Sequence, residues 1–335
     1  MVRVAIVGAG LWGINHVRAF GRIPSADVRV VCDLSDAALA KAHKLAPSAR
    51  LETSFDAVLA DPEVDAVVIA TLAGDHARMA LAALSAGKHV LVEKPLALRA
   101  EDASAVAEAA DKAGRVLMVG HLLLFHPCVR RMREAILSGE IGEVLYLYAT
   151  RVNLGVLRRD ENAMWSLGPH DVSVMQYLLG RKAKTVAARG SACLQPAVQD
   201  VVFVSVRFEG GILGQIHTSW LDPRKERRIV VVGSRKMMEL DDVHPTEKLR
   251  IHDKGYDRKT DFTEYAEYLS IRNGEAHVPN VEMVEPLDAE CRHFLECVEQ
   301  GSRPISDGWS GVEVVKVLEA AQRSLVADGV PVSID

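Results

Sequence analysis

The stretch VRVAIVGAGLWGINH constrains this chain more than any other. Apolar residues run up to Val7, and Gly8, Gly10 and Gly13 then follow in quick succession. Each glycine costs conformational entropy on folding, so three in one turn mean that something comes very close to that backbone. A Gly-x-Gly-x-x-Gly turn between a strand and a helix has a physical use. The first glycine permits the tight turn, the second lets the backbone approach a pyrophosphate, and the third lets the helix pack close to the strand. The helix N-terminus then faces the phosphate charge. Asp33 ends the second apolar run. An acid there accepts hydrogen bonds from an adenosine ribose and repels a 2′-phosphate. No arginine follows it, the next residues being Leu34, Ser35 and Asp36. The expected cofactor is NAD, held by Gly8, Gly10, Leu11, Trp12, Gly13 and Asp33.

The first 120 or so residues alternate between two textures. Apolar runs at 2–8, 28–33, 64–71, 88–95 and 115–120 read as strands. Alanine-rich stretches at 12–21, 35–45, 75–86 and 100–113 read as helices. Strand–helix alternation at this spacing predicts βαβ units and a doubly wound parallel sheet. Beyond residue 120 the texture changes. A helix over 126–138 is followed by period-2 runs at 144–154, 201–222 and 227–242, with turns at Gly210–Gly211 and Gly233–Ser234. These predict a second, α+β domain with a mostly antiparallel sheet. The segment 243–285 is polar and carries no clear motif, and a long helix occupies about 310–327. The expected division is 1–122 and 123–335, with that last helix packing back toward the first domain.

Composition removes several classes of function. The net charge is −5, with no basic block interleaved with aromatics, which argues against nucleic acid as a partner. Five scattered cysteines form no C-x-x-C pair, so neither a disulfide framework nor a structural zinc site is expected. No apolar run approaches the ~20 residues of a membrane span, and no charged or cleavable leader is visible at the start. The expectation is a cytoplasmic protein with no bound metal.

In open α/β sheets, ligands bind beyond the carboxyl ends of the strands. There the sequence places Thr71, with His76 a turn later, then Glu93-Lys94-Pro95, then Gly120-His121. Pro95 pushes Lys94 toward an extended conformation. A lysine at that lip suits hydrogen bonding to a substrate oxygen, and Glu93 suits the nicotinamide ribose or a balancing charge. Spacing alone reads equally as an exposed lysine before a loop.

The pieces GAGLWG (8–13), AT with His76, GKHVLVEKPLA (87–97), VG with FHP (119–127), WSLGPHDVS (165–173) and DGWSGVEVVKVLEAAQRSL (307–325) resemble the glucose-fructose oxidoreductase / inositol dehydrogenase (Gfo/Idh/MocA) family. The resemblance covers the whole chain, and its EKP element is the most specific part. It implies a Rossmann domain followed by a domain with a large open sheet, through which copies pack as dimers or tetramers. It also implies Lys94 and His170 as the catalytic pair. Gly168-Pro169 before His170 and Asp171 after it suggest a loop-to-helix entry. Two departures stand out: Ser166 occupies the place of a common aspartate, and Leu122-Leu123 the place of a common Asn-Arg pair.

The implied reaction is hydride transfer between a secondary carbinol carbon and nicotinamide. His170 acts as general base and Lys94 polarises the oxygen, with His76 and His121 as reserve candidates. RVNLGVLRRD places Arg151, Arg158 and Arg159 near Asn153. Arginine forks suit a diphosphate, although the same cluster also reads as a solvated basic edge. The pattern RVNLG, Trp165 and LGPHD, which includes Asn153, His170 and Asp171 with Ser166 between them, resembles the subgroup of that family acting on nucleotide sugars, and this resemblance implies a sugar substrate reacting at C3 of a nucleotide-activated hexose such as UDP-N-acetylglucosamine. An inositol or free sugar is the alternative within the class. An NAD-binding regulatory protein is the alternative outside it.

Overall fold

The computed structural model describes residues 1–155, 157–159, 161–258 and 269–334. It divides into two compact units. One comprises Met1–Phe125 with Val284–Glu319, the other His126–Met283 with Ala320–Asp335.

In the first unit the chain runs β1 (Val2–Val7), α1 (Gly13–Gly21), β2 (Ala26–Cys32), α2 (Asp36–His43), β3 (Arg50–Glu52), α3 (Phe55–Ala60), β4 (Ala66–Ile69), α4 (His76–Ser85), β5 (His89–Glu93), α5 (Ala100–Ala113) and β6 (Leu117–Gly120). The strands form a parallel sheet in the order β3-β2-β1-β4-β5-β6, as the alternating texture predicts. Every residue of β4 is buried, as is expected of a strand covered on both faces. Neighbouring β1 and β4 lead away to opposite sides of the sheet, so their carboxyl ends open a crevice. Serines start two of the helices. Ser35 accepts from the N–H of Ala38 at α2, and Ser54 from that of Ala57 at α3. At α1 the cap position holds Trp12, which makes no side-chain hydrogen bond.

The second unit opens with α6 (Pro127–Leu137), β7 (Val144–Leu154), α7 (Ala163–Leu179), β8 (Ala183–Ser191), β9 (Val201–Phe208), β10 (Leu213–Ser219), β11 (Leu221–Gly233), β12 (Met237–Asp241), β13 (Leu249–Arg258) and β14 (Leu269–His277). The chain then adds α8 (Pro286–Gln300) to the first unit. Next comes α9 (Gly308–Val326), whose residues divide between the units after Glu319, and the chain closes with β15 (Val332–Ser333). Among the described residues the second sheet runs β14-β13-β12-β11-β7-β10-β9-β8-β15, antiparallel except for the β7–β10 pair. Helix α7 packs against β10, β7 and β9, covering one face. On the strands beneath it Val202, Val204, Val206, Ile216 and Leu147 are buried. The other face shows Tyr146 stacked with Tyr148 and Phe203 stacked with His217, beside exposed Leu213.

The expected loop before His170 is corrected by the structure. Asn162 caps α7 by accepting from the N–H of Trp165, so the helix begins seven residues earlier and Pro169 lies inside it. Burial of most of its residues outweighs the break that Gly168-Pro169 suggests. The polar segment 243–285, which carries no clear motif, holds β13 and β14, while residues 259–268 are outside the described residues. No described helix is long and apolar enough to cross a membrane.

Candidate active site

At the carboxyl edge of the parallel sheet the glycine turn forms a close-packed cradle. Gly8 adopts φ +89°, and a Cβ there would stand 2.6 Å from the carbonyl oxygen of Ala70. A Cβ on Gly13 would stand 1.7 Å from the carbonyl oxygen of Gly8, so the helix enters directly against the turn. At Gly10 a Cβ would meet nothing within 4 Å. Open space therefore lies over the one glycine whose expected job is to let a pyrophosphate pass. Asp33 accepts from the N–H of Ala9 at 2.6 Å and from that of Ser35 at 2.8 Å. It ties the turn to the end of β2, and a carboxylate keeps further acceptor capacity for a ribose. Leu11 and Trp12 are exposed on the turn. These residues fit a dinucleotide: Gly10 and the uncapped start of α1 would take the pyrophosphate, and Asp33 the ribose.

Glu93 ends β5 opposite Gly120 of β6. The Lys94–Pro95 peptide is cis, and Lys94 itself is half-buried. One Glu93 oxygen accepts from the Lys94 backbone N–H at 3.2 Å. The other lies 2.8 Å from Nε2 of His16, a wholly buried residue of α1. Burial alone would raise the Glu93 carboxyl. The His16 hydrogen bond, with the nearby charges of His16, Lys94 and His76, turns this around and holds it below the ordinary carboxylate range. His121 is buried beside Glu93 and Lys94 with no hydrogen bond to either ring nitrogen among the described residues. Burial pushes it down to about 4, so it is neutral at physiological pH. His76 is committed to main-chain carbonyls, with Nδ1 2.7 Å from Pro95 and Nε2 3.2 Å from Thr71. The Thr71 hydroxyl turns toward the Met79 sulfur at 3.5 Å.

In the second unit, His170 lies half-buried in the middle of α7, with Ser166 four residues earlier on the same helical face. Asp171, 1% exposed, receives a two-pronged contact from Arg151 on β7. Arg151 Nη2 is 2.8 Å and Nε 3.0 Å from its carboxylate. Arg151 is thus turned inward to α7. Asn153 instead accepts from Arg227 of β11, whose guanidinium burial and the like charge of Arg151 hold below its usual value. Arg158 is exposed at the surface, paired with Glu161 at 3.0 Å, and Arg159 is exposed too.

The structure thus brings the expected cofactor residues, Glu93 and Lys94 to one sheet edge. Arg151 and Asp171 are brought to each other. His16 and Arg227 escaped sequence reasoning because their partners stand 77 and 74 residues away. One signal was available: His16 shares with Gly13, Val17 and Phe20 the buried face of α1.

Residues 2–121 match the family model of the GFO/IDH/MocA oxidoreductases with an NAD-binding Rossmann fold, and residues 129–239 match the GFO/IDH/MocA C-terminal domain. A 1,5-anhydro-D-fructose reductase of Ensifer adhaerens is 31% identical over 83% of this chain and 84% of its own. An inositol 2-dehydrogenase of Saccharopolyspora erythraea is 34% identical over 63% of this chain and 65% of its own. Among solved structures, a UDP-N-acetylglucosamine 3-dehydrogenase from Acidithiobacillus ferrooxidans superposes with a TM-score of 0.83 at 25% identity, covering 97% of this chain and 98% of that one.

Proposed function

The chain belongs to the GFO/IDH/MocA family of NAD-binding oxidoreductases, and we propose that it oxidises or reduces C3 of a nucleotide-activated hexose such as UDP-N-acetylglucosamine. The observation that carries the dehydrogenase reading is the Gly8–Gly13 cradle sharing a sheet edge with Glu93-Lys94. Bound nicotinamide supplies the hydride acceptor. Lys94 holds and polarises the reacting oxygen, and His170 takes the hydroxyl proton during oxidation. Such proton transfer contributes roughly 10²–10⁴ in rate. With Arg151 turned to Asp171 and Arg227 to Asn153, binding of the diphosphate falls to the exposed Arg158 and Arg159. Full-length similarity to the UDP-N-acetylglucosamine 3-dehydrogenase supports this substrate class. The similarity to an inositol 2-dehydrogenase supports a second reading, in which the substrate is a free cyclitol.

A second copy of the chain covers the outer face of the open sheet in this reading. Tyr146, Phe203 and Leu213 expose apolar area there that a monomer rarely leaves bare.

The test is turnover of NAD with UDP-N-acetylglucosamine, myo-inositol and scyllo-inositol, followed as reduced cofactor. The nucleotide sugar should lead by tenfold or more, and the reverse order moves the assignment to a cyclitol. His170→Ala and Lys94→Met should each lower turnover at least about a hundredfold while NAD binding stays intact. Binding of NAD with no turnover of any of the three would favour a regulatory protein.

A further inference from the structure

No step of the proposed chemistry uses His16. It is nevertheless a wholly buried imidazole with a partner on each side. Nε2 lies 2.8 Å from Oε1 of Glu93, and Nδ1 lies 3.8 Å from Sγ of Cys291 on α8. Burial and surrounding acids, Glu290 first among them, hold the Cys291 thiol well above its ordinary range, so it keeps its proton. An ionised Glu93 carboxylate only accepts, so the Nε2 facing it carries the N–H, while Nδ1 faces the Cys291 sulfur. The second Glu93 oxygen accepts the Lys94 N–H. A Cβ on Gly120 would stand 3.2 Å from that same oxygen, so the glycine leaves the carboxylate its room. A chain of contacts thus leads from the thiol through the imidazole and the carboxylate to the backbone of Lys94.

We propose that His16 is a positioning residue for Lys94: oriented by Cys291, it clamps the Glu93 carboxylate so that a fixed negative charge sits beside Lys94. The proposal rests on the reading that Lys94 handles the substrate oxygen. The groups facing Glu93 are His16 from α1, His76 from α4, Lys94 itself, His121 after β6, and Glu290 and Cys291 from α8. Glu93 and Glu290 are neighbouring carboxyls with opposite fates. Glu290 is pushed well above its ordinary range by burial, reinforced by the charge of Glu93. One of its oxygens has no partner among the described residues. Glu93 alone has the imidazole donor, so the single negative charge settles on it. Environments that drive two neighbouring carboxyls apart are a common way to assign charge in a reactive site.

The experiment compares His16→Leu, which keeps the bulk and removes the donor, with His16→Gln, which restores a donor of similar reach. The direct readout is the pH titration of the Glu93 carboxyl by NMR on protein with ¹³C-labelled glutamate, assigned with Glu93→Gln. His16→Leu should raise the midpoint by a unit or more, a tenfold change in acidity, and His16→Gln should recover most of it. Under substrate turnover, His16→Leu should lower kcat about tenfold with KM for NAD within about twofold, and shift the acid limb of the pH profile upward. Should His16→Leu not fold, Cys291→Ala provides the reading, with a smaller shift in the same direction. A Glu93 titration that stays in place in the folded variant overturns the proposal. The titration needs no substrate, so it decides the matter even if the assigned activity fails.

Discussion

At the carboxyl edge of the parallel sheet, Gly8, Gly13 and Gly120 matter for what they lack. On β7 and β11 of the second unit, Arg151, Asn153 and Arg227 matter for what they hold. The first region is shaped by backbone approaching backbone, with Ala70 against Gly8 and Gly8 against Gly13. The second is shaped by polar side chains that satisfy one another, Arg151 in an ion pair with Asp171 and Arg227 in a hydrogen bond to the neutral Asn153 amide. Where backbone meets backbone, as at Gly8 and Gly13, few alternatives are admitted, because a single added carbon has nowhere to go. A site built from paired side chains can exchange partners during evolution while keeping its sheet.

That contrast can be broken at its strongest point. If Arg151–Asp171 is a structural pair, Arg151→Met should destabilise the protein by about 3 kcal/mol, because it strands a buried carboxylate. Arg151→Met with Asp171→Leu should recover part of that loss. Denaturant unfolding of the single and double variants measures both. A single variant that unfolds like the parent and loses only substrate affinity would make Arg151 a ligand contact instead.

The cradle makes a finer prediction. Gly10→Ala should leave thermal stability close to the parent, since the added methyl meets open space. It should nevertheless weaken NAD binding at least tenfold, about 1.4 kcal/mol, by filling the path of the pyrophosphate. Gly13→Ala should lose stability as well as binding. Calorimetry with and without NAD separates the two, and equal behaviour of both variants would remove the distinction.

The smallest effect concerns Glu290. Its folded-state pKa is raised, so above the ordinary carboxyl range the folded protein binds more protons than the unfolded one, and stability falls as pH rises. Glu290→Gln should flatten that fall and leave the variant slightly more stable than the parent at neutral pH. A parallel pair of stability–pH curves would contradict it.

The same contrast explains what could be read from the sequence. Strand–helix alternation, the glycine turn, Asp33 and the lysine at the sheet edge are local patterns, and each announces itself within a few neighbours. The start of helix α7 read as a loop because Gly168-Pro169 is a local breaker, while the burial that overrides it comes from distant strands. Strands β13 and β14, LRIHDKGYDR and LSIRNGEAH, lack a clean apolar alternation. His16 and Arg227 were hidden for another reason. Their chemistry depends on partners that only the folded chain supplies.

Helix α8 carries a consequence for how the protein is made. It seals the first unit with Phe294 set edge-on to Phe20 at 6.5 Å and Cys291 against His16, which stand 275 residues apart. A ribosome adding ~5–20 residues per second therefore delivers all the strands of the parallel sheet roughly 8–33 seconds before the helix that closes over α1. During that interval the buried face of α1, His16 included, waits without its cover. The unit that begins the chain is among the last to be finished, and a nascent chain halted before residue 286 holds a cofactor cradle on an incomplete core.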